Sequence, residues 1–290
     1  MSVNFTVCIT YFFKRNNIRD LIRKLKINSN KDMEIIISND NPLESLKIKK
    51  HSRIRVFNNT KKIKGEIENI KFLLSKASGR YICIIADDDL IHNEMFKFIR
   101  KDNFRHLNYL SESTTKRLEF GTQKKIKNLP KNKTAMLLKK KNFNGIVGAV
   151  YEKNFIINVF KKIKIKKYLL DAFLLFKIFD NNFLILDRYF GYNNTISSKI
   201  SSKKIDLKIF NQDYLHIINS IKSKILLDKF VLFILHDYYS IIQRDDKHKI
   251  KNFYKFLKLN LKNKKLITKL KIKFILIWNF YLIVLFLKAI

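Results

Sequence analysis

Proline and glycine are nearly absent, at two and six of 290 residues. That scarcity excludes collagen-like repeats, linker-rich chains and turn-rich all-β architectures. Cysteine is just as sparse. Cys8 and Cys83 are the only two, and each sits inside an apolar run, Val7-Cys8-Ile9 and Ile82-Cys83-Ile84. A disulfide framework needs more cysteines, so both are expected to be small buried hydrophobes. The N-terminus lacks a basic segment followed by a long apolar stretch. No signal peptide is read there, and the expected location is the cytoplasm or the cytoplasmic side of a membrane. Several chemical signatures are missing as well. None of the six histidines stands at zinc-ligand spacing from a cysteine or another histidine. No Gly-x-Ser-x-Gly, Walker A or Gly-x-Gly-x-x-Gly pattern occurs.

Negative charge is also scarce: 24 Asp and Glu face 60 Lys and Arg, a formal net charge of +36. Such a field attracts polyanions, whether nucleic acid, acidic lipid or nucleotide phosphates. The abundance of Lys, Ile, Asn and Phe is also what an AT-rich genome favours, so the charge supports an anionic partner without choosing one. Apolar residues are plentiful, 47% of the chain, and run through its whole length. That supplies a full core and argues against disorder.

The first hundred residues alternate between two periodicities. Val3 to Tyr11, Glu34 to Ser38, Ile54 to Phe57 and Tyr81 to Ala86 are short β-branched runs, expected to be buried strands. Ile18, Leu21, Ile22 and Leu25 recur at helical spacing, as do Ile67, Ile70, Leu73, Leu74 and Ala77. Ser78-Gly79 is expected to end the second helix, with Gly79 in a left-handed cap. Strand, helix, strand, strand, helix, strand implies a largely parallel sheet covered by helices. Ligands of such sheets bind beyond the carboxyl ends of the strands. Asn39-Asp40 and Asp87-Asp88-Asp89 both lie just past strand ends and are expected to face one cleft. Between Asn93 and Asn144 the pattern weakens. Met95, Phe96 and Ile99 suggest a helix, and the lysine-rich stretch Thr122 to Lys133 suggests a loop. Ile146 to Tyr151 and Phe183 to Tyr192 are expected strands, and Leu169 to Phe179 an expected helix.

Three adjacent carboxylates repel one another, and folding gains nothing from them unless a cation compensates. Asp87-Asp88-Asp89 is therefore a candidate site for a hard divalent ion such as Mg²⁺ or Mn²⁺, shared with phosphate oxygens. The plain alternative is a solvated acidic turn. Asn39-Asp40 could bind a nucleobase edge or ribose, or could be simple turn chemistry. Gly65 would let a ligand approach the backbone, and Glu68 and Asn69 could face the cleft. An ordinary helix start explains them slightly better. Asp171 interrupts the apolar run from Tyr168 to Leu175. It must be paired, exposed at a helix start, or functional, and a general base would suit the position.

As an ordered set these residues resemble a family 2 glycosyltransferase with the GT-A fold. The set comprises Ile9-Thr10-Tyr11, Ser38-Asn39-Asp40-Asn41-Pro42, Gly65-Glu66-Ile67-Glu68-Asn69 and Ala77-Ser78-Gly79-Arg80-Tyr81-Ile82 before Asp87-Asp88-Asp89. Further on, Gly145 to Ala149 resembles the acceptor-side strand. Leu170-Asp171 resembles the Glu-Asp pair whose Asp is the base of inverting members. Asn39, Asn41, Glu68 and Leu170 stand where the family has Asp, Gly, Arg and Glu. The resemblance implies an α/β, Rossmann-like nucleotide-diphospho-sugar transferase domain over residues 1–200. It implies nucleotide-sugar contacts from Thr10, Tyr11, Asn39, Asp40, Gly65, Asn69, Asp87 and Asp88. It also implies a Mn²⁺ or Mg²⁺ ion on Asp87 and Asp89, and Asp171 as the base. The implied reaction moves a sugar, with inversion, from a nucleoside-diphosphate sugar to a lipid-linked or lipooligosaccharide acceptor.

Residues 201–290 read as a basic helical extension, with helices expected near 205–221, 223–243 and 247–261. Phe274 to Leu287 is almost wholly apolar and follows five lysines. It is slightly shorter than the roughly 20 residues a spanning helix needs. A helix lying in the interface of an anionic membrane, a span, or a buried terminal helix all fit. Attachment to the inner face of a bacterial plasma membrane would bring the site to a lipid-borne acceptor. Three rivals remain: a basic nucleic-acid-binding protein, an inactive membrane scaffold that keeps the transferase fold, and a nucleotidyltransferase. The acidic cluster weighs against nucleic acid, because aspartates without a metal repel phosphates. The Gly-rich N-terminal loop of a nucleotidyltransferase is missing.

Overall fold

The computed structural model describes residues 3–11, 17–25, 27, 30–41, 43, 45–59, 65–114, 145–167, 169–179, 181–192 and 206–221. Of these, 3–114, 145–163 and 170–192 form one compact unit, and 164–169 with 206–221 belong to a second.

The first unit is built on an eight-stranded sheet. Its strands are β1 (Phe5–Tyr11), β2 (Met33–Asn39), β3 (Ile54–Asn58), β4 (Tyr81–Ala86), β5 (Leu90–Ile91), β6 (Asn108–Thr114), β7 (Ala149–Glu152) and β8 (Phe183–Tyr192). They lie in the order β3-β2-β1-β4-β7-β6-β8-β5. β7 is antiparallel to β4 and β6, and β5 to β8; the other pairs run parallel. The helices are α1 (Asn17–Lys24), α2 (Glu66–Lys76), α3 (Glu94–Lys101), α4 (Lys153–Lys162) and α5 (Leu170–Phe179).

Strand alternation sends two sets of side chains to opposite faces. Phe5, Val7, Ile9, Ile35, Ile37, Cys83 and Ile85 form one core with Leu21 and Leu25 from the α1 region and with Met95, Phe96 and Ile99 of α3. α2 packs on β1 and β2 from the other side, and α4 on β4 and β7. Parallel strands covered on both faces are mostly apolar, which is why β1, β2 and β4 stand out in the sequence. The cysteines are buried and unbridged, as expected. Burial pushes the Cys8 thiol well above its ordinary range and does the same to Cys83, so neither presents a thiolate.

Gly79 does not fill the role expected of it. α2 ends through Ala77 in extended geometry, and Gly79 has no positive φ. Glycine is required there because a Cβ would come within 2.6 Å of the Thr6 nitrogen and 2.7 Å of the Phe5 carbonyl carbon. The bend lets the chain enter β4 directly beside β1.

A buried carboxylate holds this amino end of the sheet. The hydroxyl of Thr6 and both the amide and the hydroxyl of Ser78 donate to Glu34 Oε1, each at 2.6 Å. Arg55 donates to Oε2 at 2.8 Å, and Gly79 donates its amide to the Thr6 hydroxyl at 2.8 Å. Burial raises the Glu34 carboxyl, but the hydrogen bonds from Ser78 and Thr6 and the charge of Arg55 outweigh it and leave the pKa below its ordinary value. A depressed carboxylate stabilises the fold fully above the unfolded pKa of about 4.3, and that contribution disappears as pH falls through the lower folded value. Glu34→Gln is expected to cost about 1.5–3 kcal/mol at pH 7 and less at acid pH. Urea melts at pH 7 and pH 3.5 would check this; an equal loss at both would show that the charge is not what matters.

In the second unit, α6 (Leu207–Ser220) carries fully buried Asp213, which accepts from the amides of Lys166 at 2.7 Å and Lys167 at 3.0 Å. α6 falls within the helix expected near 205–221. The other expected helices, the loop from 122 to 133 and the apolar segment from 274 to 287 lie outside the described residues. Among the described residues no helix is long and apolar enough to cross a membrane.

Candidate active site

Chain order changes direction between β1 and β4: β2 and β3 were added on one side of β1, and β4 returns to the other. That reversal opens a crevice at the carboxyl ends of the two strands. Thr10 is in register with Ser38 and with Ala86, and Tyr11 with Asn39. The ends of β2, β1 and β4 therefore place Asn39, Tyr11 and Asp87 side by side. With strands about 4.8 Å apart, Asn39 and Asp87 are roughly 10 Å from each other. The two polar clusters singled out in the sequence thus share one edge of the sheet.

The β2 end is a hydrogen-bonded turn. Asn39 is fully buried; its Nδ2 donates to Asn58 Oδ1 at 2.9 Å and its Oδ1 accepts from the Asn41 amide at 3.0 Å. Asn59 Nδ2 donates to the Ser38 hydroxyl at 2.9 Å, and the Asp40 amide donates to the Tyr11 carbonyl at 2.9 Å. Asn39 thus spends both side-chain groups on the turn, and Asp40 beside it is buried. Asn58 and Asn59 organise this turn, yet the sequence reading passed over them. An asparagine pair at the end of a short strand was the available signal.

The acidic run is fixed on both sides. The Asp89 amide bonds back to the Ala86 carbonyl at 3.3 Å, a tight turn directly after β4. The chain then enters β5, which pairs with Gly191 and Tyr192 of β8. Asp87 and Asp89 are each 8% exposed, whereas Asp88 between them is partly open. Two withdrawn carboxylates one residue apart repel each other, which favours a cation beside them. Among the described residues no three His, Cys, Asp or Glu side chains converge into a metal cage. The donor set is nonetheless hard oxygen, which suits an ion that draws its remaining ligands from phosphate and water.

α2 begins at Gly65, whose φ of 95° only glycine adopts without strain and whose missing Cβ would face open space. In the first turn Glu68 turns outward and pairs with Lys71 at 2.7 Å, so it does not join the site. Asn69 does the opposite. It is 4% exposed, and its Oδ1 has no hydrogen-bond partner among the described residues. A buried acceptor left unmatched costs about 1–3 kcal/mol and marks a place where a ligand donor would fit.

Asp171 stands in the first turn of α5 and is solvent-accessible. A Cβ on Gly145 would fall 2.2 Å from the Asp171 carbonyl oxygen, so only glycine lets that turn pack so closely. The Tyr151 hydroxyl donates to the Gly145 carbonyl and fixes the other side. Glu66, which the sequence reading did not single out, joins this corner. Its side chain reaches solvent but is crowded by protein; this desolvation, and then the nearby charge of Asp171, push its carboxyl above the ordinary range. Glu66 was overlooked because an acid in a first helical turn is explained by the dipole alone.

Residues 6–149 match the family described as Glycosyl transferase family 2. No curated protein matches the chain. Among solved structures the chain is similar to S. aureus TarS 1-349 in complex with UDP-GlcNAc, with a TM-score of 0.63, 13% identity, and coverage of 89% of this chain and 81% of that one. It is also similar to a longer S. aureus TarS, with a TM-score of 0.55, 13% identity, and coverage of 94% and 50%. S. aureus TarS 1-349 alone gives a TM-score of 0.51, 12% identity, and coverage of 87% and 83%. At such identities the likeness speaks for the fold. With the mostly parallel sheet it gives the chain the GT-A fold, and the family match makes residues 6–149 a glycosyl transferase family 2 domain.

Proposed function

We propose that the chain transfers a sugar from a nucleoside-diphosphate sugar, a UDP-sugar first among them, to a hydroxyl of a lipid-linked or lipooligosaccharide glycan, with inversion at the anomeric carbon. The observation that carries this reading is the pair of withdrawn carboxylates, Asp87 and Asp89, at the β1/β4 crevice of a family 2 domain. The UDP-GlcNAc named with TarS supports the choice of donor class. Asp40, Tyr11 and Thr10 would line the nucleoside side, and Asp87 and Asp89 would hold Mn²⁺ or Mg²⁺ near the diphosphate. A divalent cation bound there supplies neutralisation of the charge that grows on the leaving diphosphate. Asp171 takes the proton from the acceptor hydroxyl, whose oxygen then attacks the anomeric carbon on the face opposite the departing diphosphate. The excess of basic residues fits work at an anionic membrane on the cytoplasmic side, where a lipid-borne acceptor would lie.

The test is to incubate the protein with a panel of UDP-sugars and lipid-linked acceptors and read the product's anomeric configuration by NMR. An inverted linkage supports the reading; a retained one overturns the role of Asp171 as base. Asn69 gives a second test. Asn69→Leu removes the orphaned acceptor at nearly constant shape, so the free protein is expected to melt at the same temperature or higher. UDP-sugar affinity should fall about three- to tenfold, the worth of one hydrogen bond. A large drop in melting temperature instead would make Asn69 a structural residue.

A further inference from the structure

On the sheet face away from α1 and α3, the packed helices α2 and α4 leave a cleft of about 320 Å³ between them. Leu74, Ile157 and Phe160 form its apolar part, and Lys71, Ser75 and Lys161 supply the polar members. None of these residues belongs to the crevice at the carboxyl ends of β1 and β4. The size restricts the occupant. A stable protein interface takes about 20–30 residues a side, far more than six, whereas pockets for small molecules begin near 300 Å³. The chemistry restricts it further. The Ser75 hydroxyl donates to the Phe72 carbonyl at 2.7 Å, which leaves the two ammonium groups as the polar groups to satisfy. Lys71 is paired with exposed Glu68 at 2.7 Å, a contact of little worth that a stronger anion can displace. Lys161 has no ion pair among the described residues. An apolar slot with two cations and no acid among its lining residues fits an anionic amphiphile: a hydrocarbon chain against Leu74, Ile157 and Phe160, and a phosphate against the lysines.

We propose that this cleft binds one acyl chain of an anionic membrane lipid, with the head-group phosphate on Lys71 and Lys161. It would seat the domain on a membrane independently of the residues beyond 221, and it does not depend on the glycosyl-transfer reading. The lysine stems add apolar surface along the slot while their heads meet the phosphate.

The test uses the full chain and three probes below their aggregation concentrations, followed by calorimetry: decyl phosphate, decanol and inorganic phosphate. Decyl phosphate is expected to bind one to one. Decanol should bind at least about fivefold more weakly, since each lysine near a lipid phosphate contributes about that factor. Inorganic phosphate should give no heat at this cleft. Lys161→Glu should weaken decyl phosphate about fivefold or more and leave decanol unchanged, and Ile157→Trp should fill the slot and abolish both. Lys161→Glu is a surface change that leaves folding intact even if Ile157→Trp does not. UDP titration of each variant, where UDP binds the parent chain, should be unchanged. Equal binding of decanol and decyl phosphate would overturn the role of the lysines. Binding indifferent to both substitutions would put the amphiphile elsewhere. Concentration-dependent dimerisation lost in Ile157→Trp would give the cleft to a second copy of the chain and overturn the lipid proposal.

Discussion

Asp171→Asn is expected to lower the transfer rate by about 10²–10⁴-fold while leaving nucleotide affinity within about a factor of two. The carboxamide keeps the shape of the side chain and the fit of the α5 turn on Gly145, so folding is not what the substitution removes. Under the proposed reading it removes the atom that would take the acceptor's proton. Glu66, desolvated and beside the charge of Asp171, is held above its ordinary range and is the other carboxyl at this corner. The experiment needs both variants. Loss of rate in Asp171→Asn with little loss in Glu66→Gln makes Asp171 the base. The reverse pattern assigns the role to Glu66 and leaves Asp171 to set its protonation. Because the loss should fall on kcat rather than on the donor KM, single-turnover measurements with saturating donor would show it directly.

Asp89→Asn is expected to weaken UDP binding in the presence of Mn²⁺ by about thirtyfold or more, the effect of removing one member of a desolvated charge contact at about 2 kcal/mol. Without a divalent ion, parent and variant should bind UDP equally weakly. The acidic turn cannot relax to compensate, because the Asp89 amide is tied to Ala86 and β5 is paired to β8 immediately after it. Asparagine removes the charge and leaves the turn intact. Equal affinities with Mn²⁺ present would mean that the diphosphate lies elsewhere along the β1/β4 edge.

The parts of the fold most legible in the sequence are those where burial leaves no choice. β1, β2 and β4 are covered on both faces, so apolar residues dominate them despite Thr6, Thr10, Glu34, Ser38 and Asn39, and the acidic run after β4 is conspicuous in so basic a chain. β6 was not read as a strand. It spans Asn108 to Thr114, where only Tyr109 and Leu110 are apolar, and its place is set by pairing with β7 and β8. Two residues, Leu90 and Ile91, are too few to show any period, although β5 closes the acidic turn. α4 does not stand out in the sequence because no Gly or Pro marks its boundary with β7. The boundary is made by Glu152, whose carboxylate accepts from the Phe155 amide at 2.7 Å, a cap that glutamate rarely provides. Gly79 shows a different failure. A glycine after a helix is usually a left-handed cap, and here it serves contact with β1, which no local pattern reveals. The crevice was legible because strand ends are local features. The approach of Glu66 to Asp171 was not, since it depends on α2 and α5 meeting in space.

If the carboxyl edge of β1 and β4 is a metal-dependent nucleotide-diphosphate site, calorimetric titration of UDP into the intact chain gives one-to-one binding with Mn²⁺, none without it, and none in Asp89→Ala. No binding of UDP with any divalent ion, followed by none of GDP or dTDP, would contradict it and leave a transferase fold without a donor site.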